Sequence, residues 1–233
     1  MTRNIAAVLF DMDGLLLDTE RVVQECFRQA CTVFGLGNKD DVFYQCIGLR
    51  RADSRLVLER ELGLLVDLTK FDEAWEGEIL RRLKREVPVK RGAKALLQHL
   101  LTCDIPAVVA TSTPTEIAVA NLKIAGLIDY MTAVLGGEQV QNGKPDPEIY
   151  HKAAALVGMD AVDCAAFEDS DPGTHAAVRS GALTVQVPDR KPPSAKTLAL
   201  GHLVVEDLLS GAAQIGLITE GFSMAGKASG GTT

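Results

Sequence analysis

The sequence predicts an α/β fold, a doubly wound, Rossmann-like parallel sheet carrying a small inserted helical cap. Three observations predict it. A continuous apolar run, Ile5 to Phe10, stops abruptly at Asp11, as a central strand buried on both faces does. The stretch from Asp18 to Val87 is helical in pattern and charged, with no convincing strand. From Pro88 onward, strand-length apolar runs alternate with helical segments, which is the texture of βα units.

Taken in order, Ile5 to Phe10 is the first strand. From Asp18 to Phe34, Val22, Val23, Cys26, Phe27, Ala30 and Phe34 recur at helical spacing. Helices continue through Asp53 to Leu62 and Phe71 to Leu83. Ala93 to Leu101 is a helix, Pro106 to Ala110 a strand, and Thr115 to Ala125 a helix. Met131 to Leu135 reads as a short strand and Pro147 to Val157 as a helix. Cys164 to Phe167 is a strand, His175 to Ser180 a helix closed by Gly181, and Leu183 to Val187 a further strand. Residues 1–17 and 88–220 then form the α/β core, 18–87 the cap, and the Gly-rich residues 221–233 a disordered tail.

The 233 residues are 47% hydrophobic and 24% charged, enough for one domain and a smaller one. A net charge of −7 offers no basic field for nucleic acid or an anionic membrane. No apolar run is long enough to span a bilayer, and no signal-peptide pattern follows Met1, so a cytoplasmic protein is expected. Cys26, Cys31, Cys46, Cys103 and Cys164 lack metal-ligand spacing and read as reduced, mostly buried thiols.

Open α/β sheets bind ligands beyond the carboxyl ends of their strands. Four such places here hold chemically apt groups. The first strand ends in Asp11 and Asp13, the second in Thr111 and Ser112, a later loop carries Lys144, and a fourth strand ends in Glu168 and Asp169. Each alone also reads as a turn, a helix cap or a solvated charge. Together they suit phosphoryl transfer. A phosphate monoester dianion repels a carboxylate nucleophile unless a cation such as Mg²⁺ neutralises it, and a lysine, hydroxyls and helix N-terminal amides hold its oxygens. A second carboxyl group is needed to protonate the leaving oxygen and then to deprotonate water. Two residues along an extended chain, Asp13 projects to the same side as Asp11.

Asp11-Met12-Asp13-Gly14-Leu15-Leu16-Leu17-Asp18-Thr19-Glu20 resembles the first motif of the haloacid dehalogenase superfamily, in the branch with a helical cap after that motif. Thr111, Lys144 in Gly-Lys-Pro-Asp-Pro, and Glu168-Asp169-Ser170 resemble its second, third and fourth motifs, in order, within Ile5 to Val187. The resemblance implies Asp11 as nucleophile, Asp13 as general acid/base, and Thr111, Ser112 and Lys144 as holders of the phosphoryl group. It implies Mg²⁺ on Asp11, the Asp13 carbonyl and Asp169, with Glu168 reaching the metal directly or through water. Asp171 falls outside the matched positions and reads as an N-terminal helix charge beside Pro172.

Within that family, Asp13 disfavours carbon–halogen and phosphorus–carbon cleavage, which need no acid there. Phosphatase action on a small, sugar-phosphate-like metabolite is the leading expectation. The alternative is a β-phosphoglucomutase-like mutase, favoured by Gly48-Leu49-Arg50-Arg51 and disfavoured by Val22 and Val23, where those enzymes carry a histidine. A receiver-type phospho-signalling domain fits worse, because its nucleophile lies on a middle strand and no helical insertion follows its first. A non-catalytic binding protein fits worse still.

The cap is expected to hinge near Leu15 to Asp18 and Pro88 to Gly92, and to face the pocket with Glu20, Cys46, Gly48, Arg50 and Arg51. Glu20, Arg50 and Arg51 are the candidate substrate contacts. Trp75 is expected to pack in the core, and His99, His151, His175 and His202 to take no part in catalysis. A monomer is the expected state, with a dimer as the alternative.

Overall fold

The computed structural model describes residues 5–219 and Phe222. The tail expected from Gly221 otherwise lies outside the described residues, although the Phe222 ring meets His99 edge to face at 5.1 Å.

Six parallel strands, β1 (Ala7–Phe10), β2 (Ala107–Ala110), β3 (Ala133–Leu135), β4 (Cys164–Glu168), β5 (Leu183–Gln186) and β6 (Leu203–Val204), lie in the order β3-β2-β1-β4-β5-β6. The order reverses at β1, which pairs with β2 on one side and β4 on the other. That reversal opens a crevice beyond the ends of β1, β2 and β4.

Strand side chains alternate between the two faces, so β1 feeds two cores. Val8 and Phe10 pack with Val109 and Phe167 on one face, beneath α5 (Ala93–Thr102), α6 (Thr115–Ile124) and α10 (Leu208–Gln214). Ala7 and Leu9 pack on the other with Ala110 and Ala166, against α7 (Glu148–Ala155) and α8 (Asp171–Arg179). Phe10 and Phe167 stack at 5.4 Å across the β1–β4 pair. The small residues on the second face let α7 and α8 lie close to the sheet.

Between β1 and α5 come α1 (Thr19–Val33), α2 (Asp40–Cys46), α3 (Arg51–Leu62) and α4 (Leu68–Leu83). They surround their own apolar cluster, with the Phe27 ring 5.6 Å from Phe43, 5.6 Å from Phe71 and 5.1 Å from Trp75. Asp67 caps α4 by accepting from the Thr69 and Lys70 amides. The chain enters and leaves this group through two extended segments that touch. The Asp18 amide donates to the Pro88 carbonyl at 2.8 Å, and the Lys90 amide to Leu16 at 2.9 Å.

Beyond shifts of up to three residues at other element ends, the structure departs from the sequence reading in two places. Helix α8 begins at Asp171 rather than His175, because Ser170 caps it by accepting from the Gly173 amide and Pro172 fits the first turn. Past Val187 the chain adds α9 (Ala195–Leu198), β6 and α10, which were not anticipated. None is longer than seven residues, too short to show periodicity. Among the described residues no helix is long and apolar enough to cross a membrane. Cys103 is exposed; the other four cysteines are buried, and all five are free thiols.

Candidate active site

Every strand-end residue singled out above reaches the crevice, and the local chain explains how. After β1 the Met12 carbonyl accepts from the amides of Leu15, Leu16 and Leu17, folding the chain back immediately after Asp13. Gly14 makes that turn at φ +85°, and a Cβ there would strike the Asp169 carboxylate. The turn is therefore both left-handed and closed in by the acid it faces.

Asp11, Glu168 and Asp169 are buried with carboxylate oxygens within 4.8 Å of one another. One cation faces them. Lys144 Nζ donates to Asp11 Oδ1 and to Glu168 Oε1, each at 2.5 Å, and is itself buried. Burial lifts the Asp11 pKa to about 8, with Lys144 opposing and Glu168 and Asp13 adding to the rise. Burial likewise raises Asp169 well above the carboxylate range, reinforced by Asp11 and Glu168. Burial alone would depress Lys144, but Asp11 and Glu168 outweigh it and raise its pKa. Three carboxylates against one ammonium leave an oxygen-rich cluster with spare negative charge. That donor set fits a hard divalent cation.

Asp13 is not in that cluster. Thr19 donates to its Oδ1 at 2.6 Å, and Thr113 and Thr111 to its Oδ2 at 2.7 and 3.3 Å. The three hydroxyls hold its carboxyl apart from the metal-type cluster, at the mouth of the crevice. Thr19 lies in the first motif with no role assigned there, Thr113 lies just past Ser112, and Tyr150, whose hydroxyl donates to Glu168 Oε1 at 2.6 Å, carries no sequence signal at all. Its reach depends on α7 packing across β1, β2 and β3, which no local pattern reveals.

The four-helix group expected as a cap packs over this floor. Ser112 donates to the Gly48 carbonyl at 3.0 Å, so the hydroxyl expected to hold phosphate is here engaged by the cap. A Cβ at Gly48, which has φ +78°, would lie 2.5 Å from Ser170 Oγ. Arg50 bridges Asp53 on the cap and the Gln141 carbonyl on the core, whereas Arg51 pairs with Glu76 on the exposed surface. Neither arginine borders the cavity beneath it, while Glu20, Cys46 and Gly48 do. That cavity, about 280 Å³, runs from Asp11 and Asp13 toward an apolar wall. Trp75 does more than pack in the core: it borders this cavity, and its indole N–H donates to the Val23 carbonyl at 3.0 Å. Burial raises Glu20 to a pKa of about 8, with Asp13 and Asp11 adding to the effect.

Residues 8–187 match the haloacid dehalogenase-like hydrolase family. The chain belongs to that family. Among relatives of this hydrolase, a phosphorylated carbohydrates phosphatase from Thermotoga maritima is 31% identical over 175 residues, covering 75% of this chain and 81% of the relative. Hexitol phosphatase A from Escherichia coli is 29% identical, covering 77% and 81%. The β-phosphoglucomutase of Clostridium difficile shares the fold with a TM-score of 0.72 over 87% of this chain and 91% of its own, at 20% identity.

Proposed function

We propose that this phosphoric monoester hydrolase removes phosphate from a small phosphorylated carbohydrate, with Mg²⁺ as cofactor and Asp11 carrying the phosphoryl group between two half-reactions. The observation that carries the reading is the buried triad of Asp11, Glu168 and Asp169 facing Lys144, with Asp13 held separately by three threonine hydroxyls. Mg²⁺ held by the triad would neutralise phosphate charge that otherwise repels the nucleophile.

In the first half-reaction a carboxylate oxygen of Asp11 attacks phosphorus, and the phosphorus–oxygen bond to the alcohol breaks. Asp13 gives its proton to the departing oxygen, and the alcohol leaves neutral. In the second, Asp13, now a carboxylate, takes a proton from water as the water attacks phosphorus, restoring Asp11 and releasing inorganic phosphate. Lys144 keeps Asp11 oriented and supplies positive charge at the oxygen that reacts. Thr111 and Ser112 offer hydroxyls to the phosphoryl oxygens, and for Ser112 this means exchanging its bond to Gly48. The closed cap excludes bulk water from the first step.

The substrate class follows the names of the phosphatase relatives and the cavity, which is small by the standard of ligand sites. The mutase alternative has less support, since among the described residues no arginine borders the cavity to hold a second phosphate. All the groups named come from one chain, so the reading needs no second copy. The test is phosphate release from a panel of phosphorylated sugars and polyols with Mg²⁺, and the same panel with Asp11→Asn. Release abolished by that substitution and by chelation supports the reading. Full activity in Asp11→Asn, or conversion of sugar phosphates without release, refutes it.

A further inference from the structure

Beyond Asp13 and Thr113 the cavity continues between cap and core, where Ile79 and Leu83 of α4 and Ile117 of α6 border it. Asn121 also borders it, one helical turn past Ile117 and so on the same face of α6. Asn121 is only 7% exposed, yet its carboxamide makes no hydrogen bond to any described residue. Nor is either polar atom fully occluded, and the residue they belong to borders the cavity. No lysine or arginine borders the cavity among the described residues. A distal phosphate or carboxylate entering it would lose water and meet no counter-charge.

We propose that Asn121 is a specificity-determining residue, which hydrogen-bonds a neutral polar group on the far side of the leaving alcohol. Preferred substrates are then monoesters of compact, uncharged alcohols rather than bisphosphates or phosphorylated acids. The proposal rests on the phosphatase reading and narrows it. A carboxamide offers one donor group and one acceptor on a wall that is otherwise apolar. A ligand that fills the cavity without matching it strands a desolvated amide, and this is how a polar site rejects an analogue lacking the partner group.

The experiment compares wild-type and Asn121→Leu enzyme on three matched series: alkyl phosphates, ω-hydroxyalkyl phosphates and ω-carboxyalkyl phosphates of three to six carbons, with Mg²⁺. In the wild type, at the best chain length, kcat/KM should favour the hydroxyalkyl over the alkyl ester about tenfold, the size of one neutral hydrogen bond. The carboxyalkyl ester should be the poorest of the three. Asn121→Leu should bring the hydroxyalkyl-to-alkyl ratio to about one, mostly through KM. A ratio that survives the substitution, including equal losses in both series from a packing defect, overturns the proposal, as does a wild-type preference for the carboxyalkyl series. Absence of turnover of every ester by the wild type removes the phosphatase reading and this proposal together.

Discussion

Replacing Lys144 by methionine keeps the length of the side chain and deletes the positive charge that lies 2.5 Å from both Asp11 and Glu168. All three side chains are nearly inaccessible, and Asp169 lies in the same cluster. Breaking a buried ion pair by removing one partner costs about 3–5 kcal/mol, because the other charge stays buried and unpaired. The carboxyls escape part of that cost by taking protons. Asp11, already raised to a pKa of about 8 against 3.8 for the free group, stabilises the fold most below pH 4 and loses that contribution as the pH climbs through 8. Without Lys144, which lowers it, the Asp11 pKa rises further, so the variant's stability falls more steeply with pH. In metal-free protein the deficit should be small at pH 5 and approach ~3–5 kcal/mol at pH 8, a fall of roughly 10 °C in Tm for a chain of this size. Urea unfolding with EDTA at both pH values measures it. A deficit under about 1 kcal/mol at pH 8, or one of equal size at both pH values, would refute the electrostatic account of the cluster.

Asp13→Asn should lower kcat by about 10²–10⁴-fold for alkyl phosphates and distinctly less for nitrophenyl phosphate, whose leaving group needs no proton; steady-state kinetics on both decides it, and equal losses would remove Asp13 as the acid. Gly48→Ala places a Cβ 2.5 Å from Ser170 Oγ at a left-handed φ, so cap closure should weaken and kcat/KM fall about 10–100-fold with the fold retained by circular dichroism. An unaltered kcat/KM would show that closure does not depend on this contact. Glu20, raised to a pKa of about 8 from 4.5, contributes stability fully below pH 4.5 and loses it as the pH passes 8. Glu20→Gln should therefore stabilise metal-free protein at pH 9 by roughly 2–4 kcal/mol, with little effect at pH 4; thermal unfolding at the two pH values tests this, and a pH-independent change would contradict it.

The sheet and the chemical floor were legible because both rest on short-range patterns. A six-residue apolar run ending in Asp-Met-Asp-Gly announces a strand and a turn at once, and Thr111, Lys144, Glu168 and Asp169 each sit at a strand end or in a loop beside one. What stayed hidden depends on packing between distant segments. Tyr150 reaches Glu168 only because α7 packs across β1, β2 and β3, and Thr113 is distinguished from its neighbour Ser112 only by which way each hydroxyl points. The two cap arginines illustrate the same limit: their motif placed them near the mouth, but Asp53 and Glu76 draw both away from the cavity. Asn121 carries no sequence signal, because an asparagine in a helix announces nothing until its neighbours in space are known.

The cap enters after Leu17 and returns at Val89, and those two residues bridge each other. An insertion whose ends meet can be lengthened, shortened or exchanged without pulling on the sheet that holds Asp11. Selectivity carried by the cap can thus diversify by swapping a cassette, while the nucleophile strand stays as it is. Asn121 lies on the other side of that seam, in the unswappable half. A grafted cap would inherit its amide, and the ancestry of a substrate preference in this enzyme would have to be sought in both pieces.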